Sequence, residues 1–195
     1  MKSVCIYCGS SAGRDPVYAE TAVRFSTLLA REGITVVYGG GNVGLMGVCA
    51  DAALSAGGRV IGVIPEDLLR REIAHRGVTE LHVVKTMHER KALMAEKSDA
   101  FAALPGGFGT LDELCEMVTW GQLGHHVKPC GLLNLRGYYD GLLAQVDRAV
   151  EAGFTKPEHR TMLRVADTPE ALLEALRSYR PAYTPKWITP AAVSP

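Results

Sequence analysis

No run in this chain reaches the roughly 18 to 20 consecutive apolar residues that a membrane span needs, so no membrane partner is expected. Charge of one sign is missing too. The 21 Lys plus Arg balance 21 Asp plus Glu, and no overall field gathers nucleic acid or an anionic surface. Cysteine is sparse and odd in number: Cys5, Cys8, Cys49, Cys115 and Cys130. That excludes a fully paired disulfide framework and points to free thiols in a reducing cytoplasm. Cys5-Ile-Tyr-Cys8 spells C-x-x-C, but positions three apart on a strand face opposite ways, which disfavours a disulfide or a shared metal. The start, Met1-Lys-Ser-Val-Cys-Ile-Tyr-Cys8, has one basic residue and an apolar stretch too short for a signal peptide. The His125-His126 pair has no metal-ligand spacing, and no His/Asp/Glu cluster suggests a metal site.

What is present is an ordinary soluble globular composition, 47% hydrophobic and 22% charged. A chain of 195 residues can bury about 70% of its unfolded surface in one domain. Short apolar runs read as buried strands at Val4–Tyr7, Thr35–Tyr38, Arg59–Ile64, Leu81–Val84, Ala100–Leu104 and Cys130–Asn134, with a further short one at Met162–Val165. Helical patterns fall between them at Val17–Glu32, Leu45–Ala56, Met87–Lys97, Thr110–Leu123, Tyr138–Ala152 and Pro169–Tyr179. Near-continuous apolar strands alternating with amphipathic helices predict an α/β fold, a Rossmann-like doubly wound parallel sheet with helices on both faces. The domain is expected to span residues 1–179. A tail, 180–195, holds four of the ten prolines and no helical period, so it reads as extended, either disordered or laid across a neighbouring surface with Trp187 and Ile188 as anchors.

In such sheets ligands bind beyond the carboxyl ends of the strands, near the point where strand order reverses. Three loops there are rich in small residues. Cys8-Gly-Ser-Ser-Ala-Gly13 could approach a ligand closely or be a plain turn. Gly39-Gly-Gly-Asn-Val-Gly-Leu-Met-Gly47 matches G-x-G-x-x-G through Gly39, Gly41 and Gly44, with Glu66 about 20 residues onward, which raises NAD binding and an oxidoreductase as an alternative. The match falls on the second strand, and Pro65 intrudes beside the acid. The third loop is Pro105-Gly-Gly-Phe-Gly-Thr-Leu-Asp-Glu113. Its glycines and Thr110 could turn their N–H groups toward a phosphate at a helix N-terminus. No G-K-[ST] follows, which argues against a Mg-dependent NTPase.

Two acids, Asp112 and Glu113, follow that loop. Thr110-Leu-Asp-Glu113 fits a capping box, with Glu113 reaching back to the Thr110 N–H and Asp112 complementing the helix dipole. Against that reading, Glu116 extends the acidic stripe, while Leu111, Leu114, Cys115 and Val118 already supply a core face. An acidic face beside an anion cradle needs a cation or a substrate that wants it. Arg90 and Lys91, in Met87-His-Glu-Arg-Lys-Ala-Leu-Met94, are the available cations. They stand either on a solvated helix face or at the same carboxyl edge of the sheet.

Pro105-Gly-Gly-Phe-Gly-Thr-Leu-Asp-Glu113 fits P-G-G-x-G-T-x-x-E, and Met87-His-Glu-Arg-Lys91 fits its companion M-H-x-R-K. Together they resemble the Lonely Guy family of cytokinin riboside 5′-monophosphate phosphoribohydrolases, whose members have also been labelled lysine decarboxylases. Cys8-Gly-Ser-Ser11, Tyr38-Gly-Gly-Gly41, Gly44-Leu-Met-Gly47 and Thr119-Trp-Gly-Gln-Leu-Gly124 support the resemblance, which runs to about residue 176. It implies a Rossmann-like homodimer acting on a small-molecule nucleotide, with no nucleic acid or membrane partner. The implied reaction cleaves the N-glycosidic bond of an adenine nucleoside 5′-monophosphate to the free base and ribose 5-phosphate. It also implies catalysis by Arg90 and Glu113, with substrate contacts at Glu72, Arg90, Lys91, Gly107, Phe108, Gly109, Thr110, Leu111, Asp112, Glu113 and Thr119. No cofactor is expected, pyridoxal phosphate included. A binding module on the same scaffold, without turnover, is the other reading.

Overall fold

The computed structural model describes residues 1–69 and 74–181. Glu72, Trp187 and Ile188 therefore lie outside the described residues, as does most of the proline-rich tail. Seven strands, β1 (Ser3–Tyr7), β2 (Thr35–Tyr38), β3 (Val60–Pro65), β4 (Glu80–Val84), β5 (Ala100–Ala103), β6 (Cys130–Leu133) and β7 (Leu163–Ala166), form one sheet. Every pairing is parallel, in the order β4-β3-β2-β1-β5-β6-β7. Each strand falls within one residue of its expected ends. The chain winds outward from β1 in one direction through β4, then returns to the other side of β1 with β5. The order thus reverses between β1 and β5, where a doubly wound sheet opens a crevice.

Eight helices, α1 (Val17–Arg31), α2 (Gly44–Ser55), α3 (Glu66–Leu69), α4 (Met87–Glu96), α5 (Phe108–Gln122), α6 (Asp140–Glu151), α7 (Pro157–Arg160) and α8 (Pro169–Arg177), connect these strands among the described residues. The one-turn helices α3 and α7 are too short to show a period and were not expected. Alternation along each strand divides the interior in two. Val4, Ile6, Val36 and Tyr38 face a core with Phe25 and Leu29 of α1, Cys49 of α2 and Leu172 of α8. Cys5, Tyr7, Val37 and Phe101 face the other core, with Met94 of α4 and Leu114 and Met117 of α5. Cys5 and Cys8 thus belong to cores on opposite faces, and all five cysteines are free thiols.

Two local expectations at α5 need correction. The helix starts at Phe108 with Gly107 as N-cap, two residues before the expected start, and no side chain caps it. Thr110 therefore lies inside the first turn and Glu113 in the second, so Thr110-x-x-Glu113 is not a capping box, and neither acid sits in the first turn. A close variant of the box occurs one helix earlier, with the Glu reaching the residue before the N-cap. Thr86 Oγ1 accepts from the Glu89 N–H (3.1 Å), and Glu89 Oε2 accepts from the Lys85 N–H (2.7 Å) at the start of α4. The buried face also differs from the expected one. Thr110, Leu114, Met117 and Gly121 turn inward, while Leu111 and Val118 sit half-buried at its edge and Cys115 is exposed.

Candidate active site

The loops after β1, β2 and β5 meet at the reversal point. The Gly9 N–H donates to the Pro105 carbonyl (3.1 Å), and the Leu45 N–H donates to the Gly9 carbonyl (3.0 Å). The glycine-rich loop after β2 is thereby folded down onto the loop after β1. Gly44, at φ +56, takes a left-handed conformation, and a Cβ there would come within 2.5 Å of the Ser11 nitrogen. The three glycines that resemble a dinucleotide fingerprint have local structural work: Gly44 packs on the β1 loop, Gly41 bridges to Ala74, and Gly39 makes room for Arg90.

Arg90 lies at the end of the first turn of α4 and is only 6% exposed. Its Nη2 donates to the Gly39 carbonyl (2.8 Å) and its Nε to the Val63 carbonyl (3.2 Å), so the residue after β2 and a residue within β3 aim the guanidinium. A Cβ on Gly39 would overlap Nη2 and stand 3.0 Å from Cζ. Arg90 lines a cavity of about 200 Å³ with Glu113, Thr110, Gly107, Phe108 and Gly109 of the β5–α5 segment, and with Cys8, Gly9, Ser10 and Met46. A second cavity, about 260 Å³, adjoins it across Gly9, Ser10 and Gly107 and is walled by Tyr18, Leu45, Pro105 and Tyr138.

The glycines of the β5 loop are of two kinds. Gly106 is packed, since a Cβ there would come within 2.8 Å of the Gly9 nitrogen. At Gly107 and Gly109 a Cβ would meet nothing within 4 Å. Their bareness leaves open space beside the start of α5, where the first helical N–H groups have no acceptor within their own helix and the dipole favours an anion.

Cys8 also borders the cavity, which raises a thiolate nucleophile. A hydrogen bond to the Cys49 thiol, burial and the Glu113 carboxylate all push the Cys8 thiol well up, so it stays protonated near neutral pH. Burial likewise raises Cys5 and Tyr7 beneath the site, with the Glu113 charge adding to it. The acidic and basic side chains that line this cavity are Glu113 and Arg90.

Of the expected site residues, the structure brings together Arg90, Gly107, Phe108, Gly109, Thr110 and Glu113. It directs others elsewhere. Lys91 Nζ lies 3.1 Å from Asp112 Oδ2 and 3.0 Å from Glu116 Oε2, on a side of α5 away from the cavity. Burial alone would lower the Lys91 pKa, and the Glu116 and Asp112 carboxylates outweigh that and raise it. Leu111 packs half-buried against the core, and Thr119 stands further along α5, outside both cavity walls. Sequence reasoning missed Met46 as a wall residue, the Gly39 and Val63 carbonyls that aim Arg90, and Tyr138. Nothing in the spacing of these residues marks them, because they reach the site from separate stretches of chain: the segment after β2, the interior of β3 and the segment after β6.

Fold and cavity together define a Rossmann-like α/β protein with a cavity at its topological switch point that is lined by an arginine, a glutamate and the start of a helix. Residues 46–176 match a family described as "Possible lysine decarboxylase". The chain is 50% identical over 182 residues to the probable cytokinin riboside 5′-monophosphate phosphoribohydrolase LOGL2 of Oryza sativa subsp. japonica, covering 93% of this chain and 75% of that one. It is 49% identical to the cytokinin riboside 5′-monophosphate phosphoribohydrolase LOG1 of Arabidopsis thaliana, over 93% and 85% of the two chains. The chain belongs to this Lonely Guy family. Among solved structures, the molybdenum cofactor binding protein of Rippkaea orientalis superposes with a TM-score of 0.69 at 26% identity, over 91% of this chain and 97% of that one. The molybdenum cofactor carrier protein of Chlamydomonas reinhardtii, at 20% identity and a TM-score of 0.68 over 90% and 95% of the chains, shares the fold.

Proposed function

We propose that this protein hydrolyses the N-glycosidic bond of adenine nucleoside 5′-monophosphates, AMP or cytokinin riboside 5′-monophosphates, releasing the free base and ribose 5-phosphate. One observation carries the reading: buried Arg90 and half-buried Glu113 line the same cavity as the bare glycines Gly107 and Gly109 at the start of a helix. The 5′-phosphate sits against the N–H groups that open α5, which fixes where the anomeric carbon lies. Cleavage passes through an oxocarbenium-like state, positive at that carbon. The Glu113 carboxylate stabilises this charge or orients the attacking water. Water supplies the new C1′ hydroxyl, and its proton balances the base nitrogen that departs. Arg90 is always charged and cannot serve as the acid. Aimed by two carbonyls, it offsets negative charge on the phosphate or on the leaving base. Relatives named for this activity, at about half identity across nearly the whole chain, support the assignment.

The test is a panel of nucleoside 5′-monophosphates followed for free base. Release from adenine nucleotides is expected, and no release from any member would overturn the reading. The likeness to cofactor-binding and carrier proteins favours a second reading, a module that holds a nucleotide without turnover. Tight AMP binding with no adenine produced would establish it.

The working unit we propose is a homodimer. Half-buried Trp120 on α5 and exposed Leu123 at its C-cap supply an apolar surface for a second copy. A particle of 21 kDa by light scattering at micromolar concentration would contradict this. Five free thiols, four of them buried, support a reducing cytoplasmic setting. Among the described residues no helix is long and apolar enough to cross a membrane.

A further inference from the structure

Two consecutive tyrosines between β6 and α6 reach back to the glycine loop. The buried Tyr139, 3% exposed, donates its hydroxyl to the Leu104 carbonyl at 2.7 Å. Tyr138, 43% exposed, stands edge-on to it with ring centroids 4.8 Å apart and donates to the Gly106 carbonyl at 2.7 Å. Between them, the Pro105 carbonyl accepts the Gly9 N–H at 3.1 Å. Three successive carbonyls leading from β5 into α5 are each tied by a donor from elsewhere in the chain.

The third tie governs the site. A trans peptide is planar and its N–H points opposite to its C=O, and no cis peptide occurs here. Holding the Gly106 carbonyl toward Tyr138 therefore holds the Gly107 N–H in the opposite sense. Gly107 is the N-cap of α5 and borders both cavities. A peptide between two glycines has no side chain to resist rotation. If this one turned over, it would replace a donor with a carbonyl oxygen at the place where an anion binds.

We propose that Tyr138 is a positioning residue for phosphate recognition. Its hydroxyl fixes the Gly106–Gly107 peptide so that the Gly107 N–H is presented to the 5′-phosphate of the substrate. The proposal rests on the phosphoribohydrolase reading for the identity of the anion. The role belongs to the hydroxyl. The ring also walls the neighbouring cavity and meets Tyr18 edge-on, with centroids 5.7 Å apart.

Tyr138→Phe separates the two, because it keeps the ring and removes the hydroxyl. The expected result is a roughly tenfold weaker affinity for inorganic phosphate by calorimetry, the scale of one hydrogen bond to an ionic ligand. KM for AMP should rise in parallel, kcat should change far less, and the ratio of kcat/KM for AMP over adenosine should fall about tenfold. Tyr139→Phe, which frees a carbonyl two residues earlier in the buried interior, should lower thermal stability and leave that ratio alone. Unchanged phosphate affinity in Tyr138→Phe would overturn the proposal, and so would equal ratio losses in both variants. If the wild-type protein binds AMP without cleaving it, the hydrolase reading fails while the phosphate calorimetry still decides this proposal.

Discussion

Replacing Gly39 by alanine should damage catalysis while sparing the fold. Gly39 has no positive φ, so an alanine costs no backbone strain there. Its methyl would overlap Arg90 Nη2, stand 3.0 Å from Cζ, and lie 3.4 Å from Met46 Sδ. The obstructing group is the tip of a long side chain, so the guanidinium yields first. Restoring ordinary contact requires it to move by on the order of 1 Å, which breaks the 2.8 Å bond to the Gly39 carbonyl and disturbs the 3.2 Å bond to that of Val63. Hydrogen bonds to charged groups are worth about 1.5–3 kcal/mol each. Losing one and partly regaining it elsewhere in the cavity costs about 1–2 kcal/mol, or a fall in Tm of roughly 2–8 °C for a chain of this size. A displacement of about 1 Å in a substrate-positioning group costs on the order of 10² in rate. The expected Gly39→Ala enzyme is therefore folded, with kcat/KM for AMP down about a hundredfold. Adenine release measured chromatographically, beside a thermal melt, reads both quantities. A kcat/KM within about threefold of wild type would refute the argument that the two carbonyls set the working position of Arg90.

Glu113→Gln should fold normally, still bind AMP and lose on the order of 10² to 10⁴ in kcat, because an amide cannot offset the charge that develops at the anomeric carbon; a wild-type kcat would send the search for the carboxylate to Asp112 or Glu116. AMP should be cleaved with a far higher kcat/KM than adenosine, since phosphate contacts hold the ribose in place, and equal values would refute phosphate anchoring. Activity should persist in EDTA; full loss restored by a divalent ion would show a metal requirement. His126 Nε2 donates to the Met117 carbonyl (2.9 Å) and Nδ1 accepts from the Lys128 N–H (3.1 Å), so the neutral ring is the one that fits, and burial lowers its pKa from 6.5. Below pH 6.5 the unfolded chain binds the extra proton first. Stability by urea unfolding should thus fall between pH 7.5 and 5.5, and His126→Gln should lose part of that slope; an identical slope in the variant would count against it.

The strands were legible because both sheet faces are covered, which makes each strand a nearly unbroken apolar run with sharp ends. The start of α5 was not. Gly106-Gly-Phe-Gly109 looks like loop by composition, and the S/T-x-x-E rule then selects Thr110 as the cap. The same rule fits Thr86-x-x-Glu89, where it holds. Local spacing cannot choose between the two, because what decides is that Gly107, free of any side chain, closes the first turn with its own carbonyl on the Leu111 N–H (3.2 Å). The fingerprint after β2 misled for a related reason. Glycine is needed both where a ligand approaches and where the protein approaches itself, and Gly39 is bare for an arginine 51 residues away. Tyr138 carried no signal at all. Its partner is a backbone carbonyl 32 residues earlier, and a carbonyl has no sequence identity.

The same geometry bears on why acids stand beside the proposed anion site. A carboxylate free to act on the first turns of α5 would oppose a phosphate there, by about 1–4 kcal/mol at 4 Å between the dielectric of water and that of a protein surface. On this helix the acids are sorted by face. Asp112 and Glu116 both point toward α4, where Lys91, its side chain 11% exposed, sits within 3.1 Å of each. One ammonium shared by two carboxylates cuts the charge on that side from two negative units to a net of one. Glu113 is one residue from Asp112 and is turned roughly 100° around the helix, which brings it to the cavity wall with Arg90. Lys91 thus offsets part of the charge of Asp112 and Glu116, and on the proposed reading Glu113, at the cavity wall, is the acid that faces the sugar.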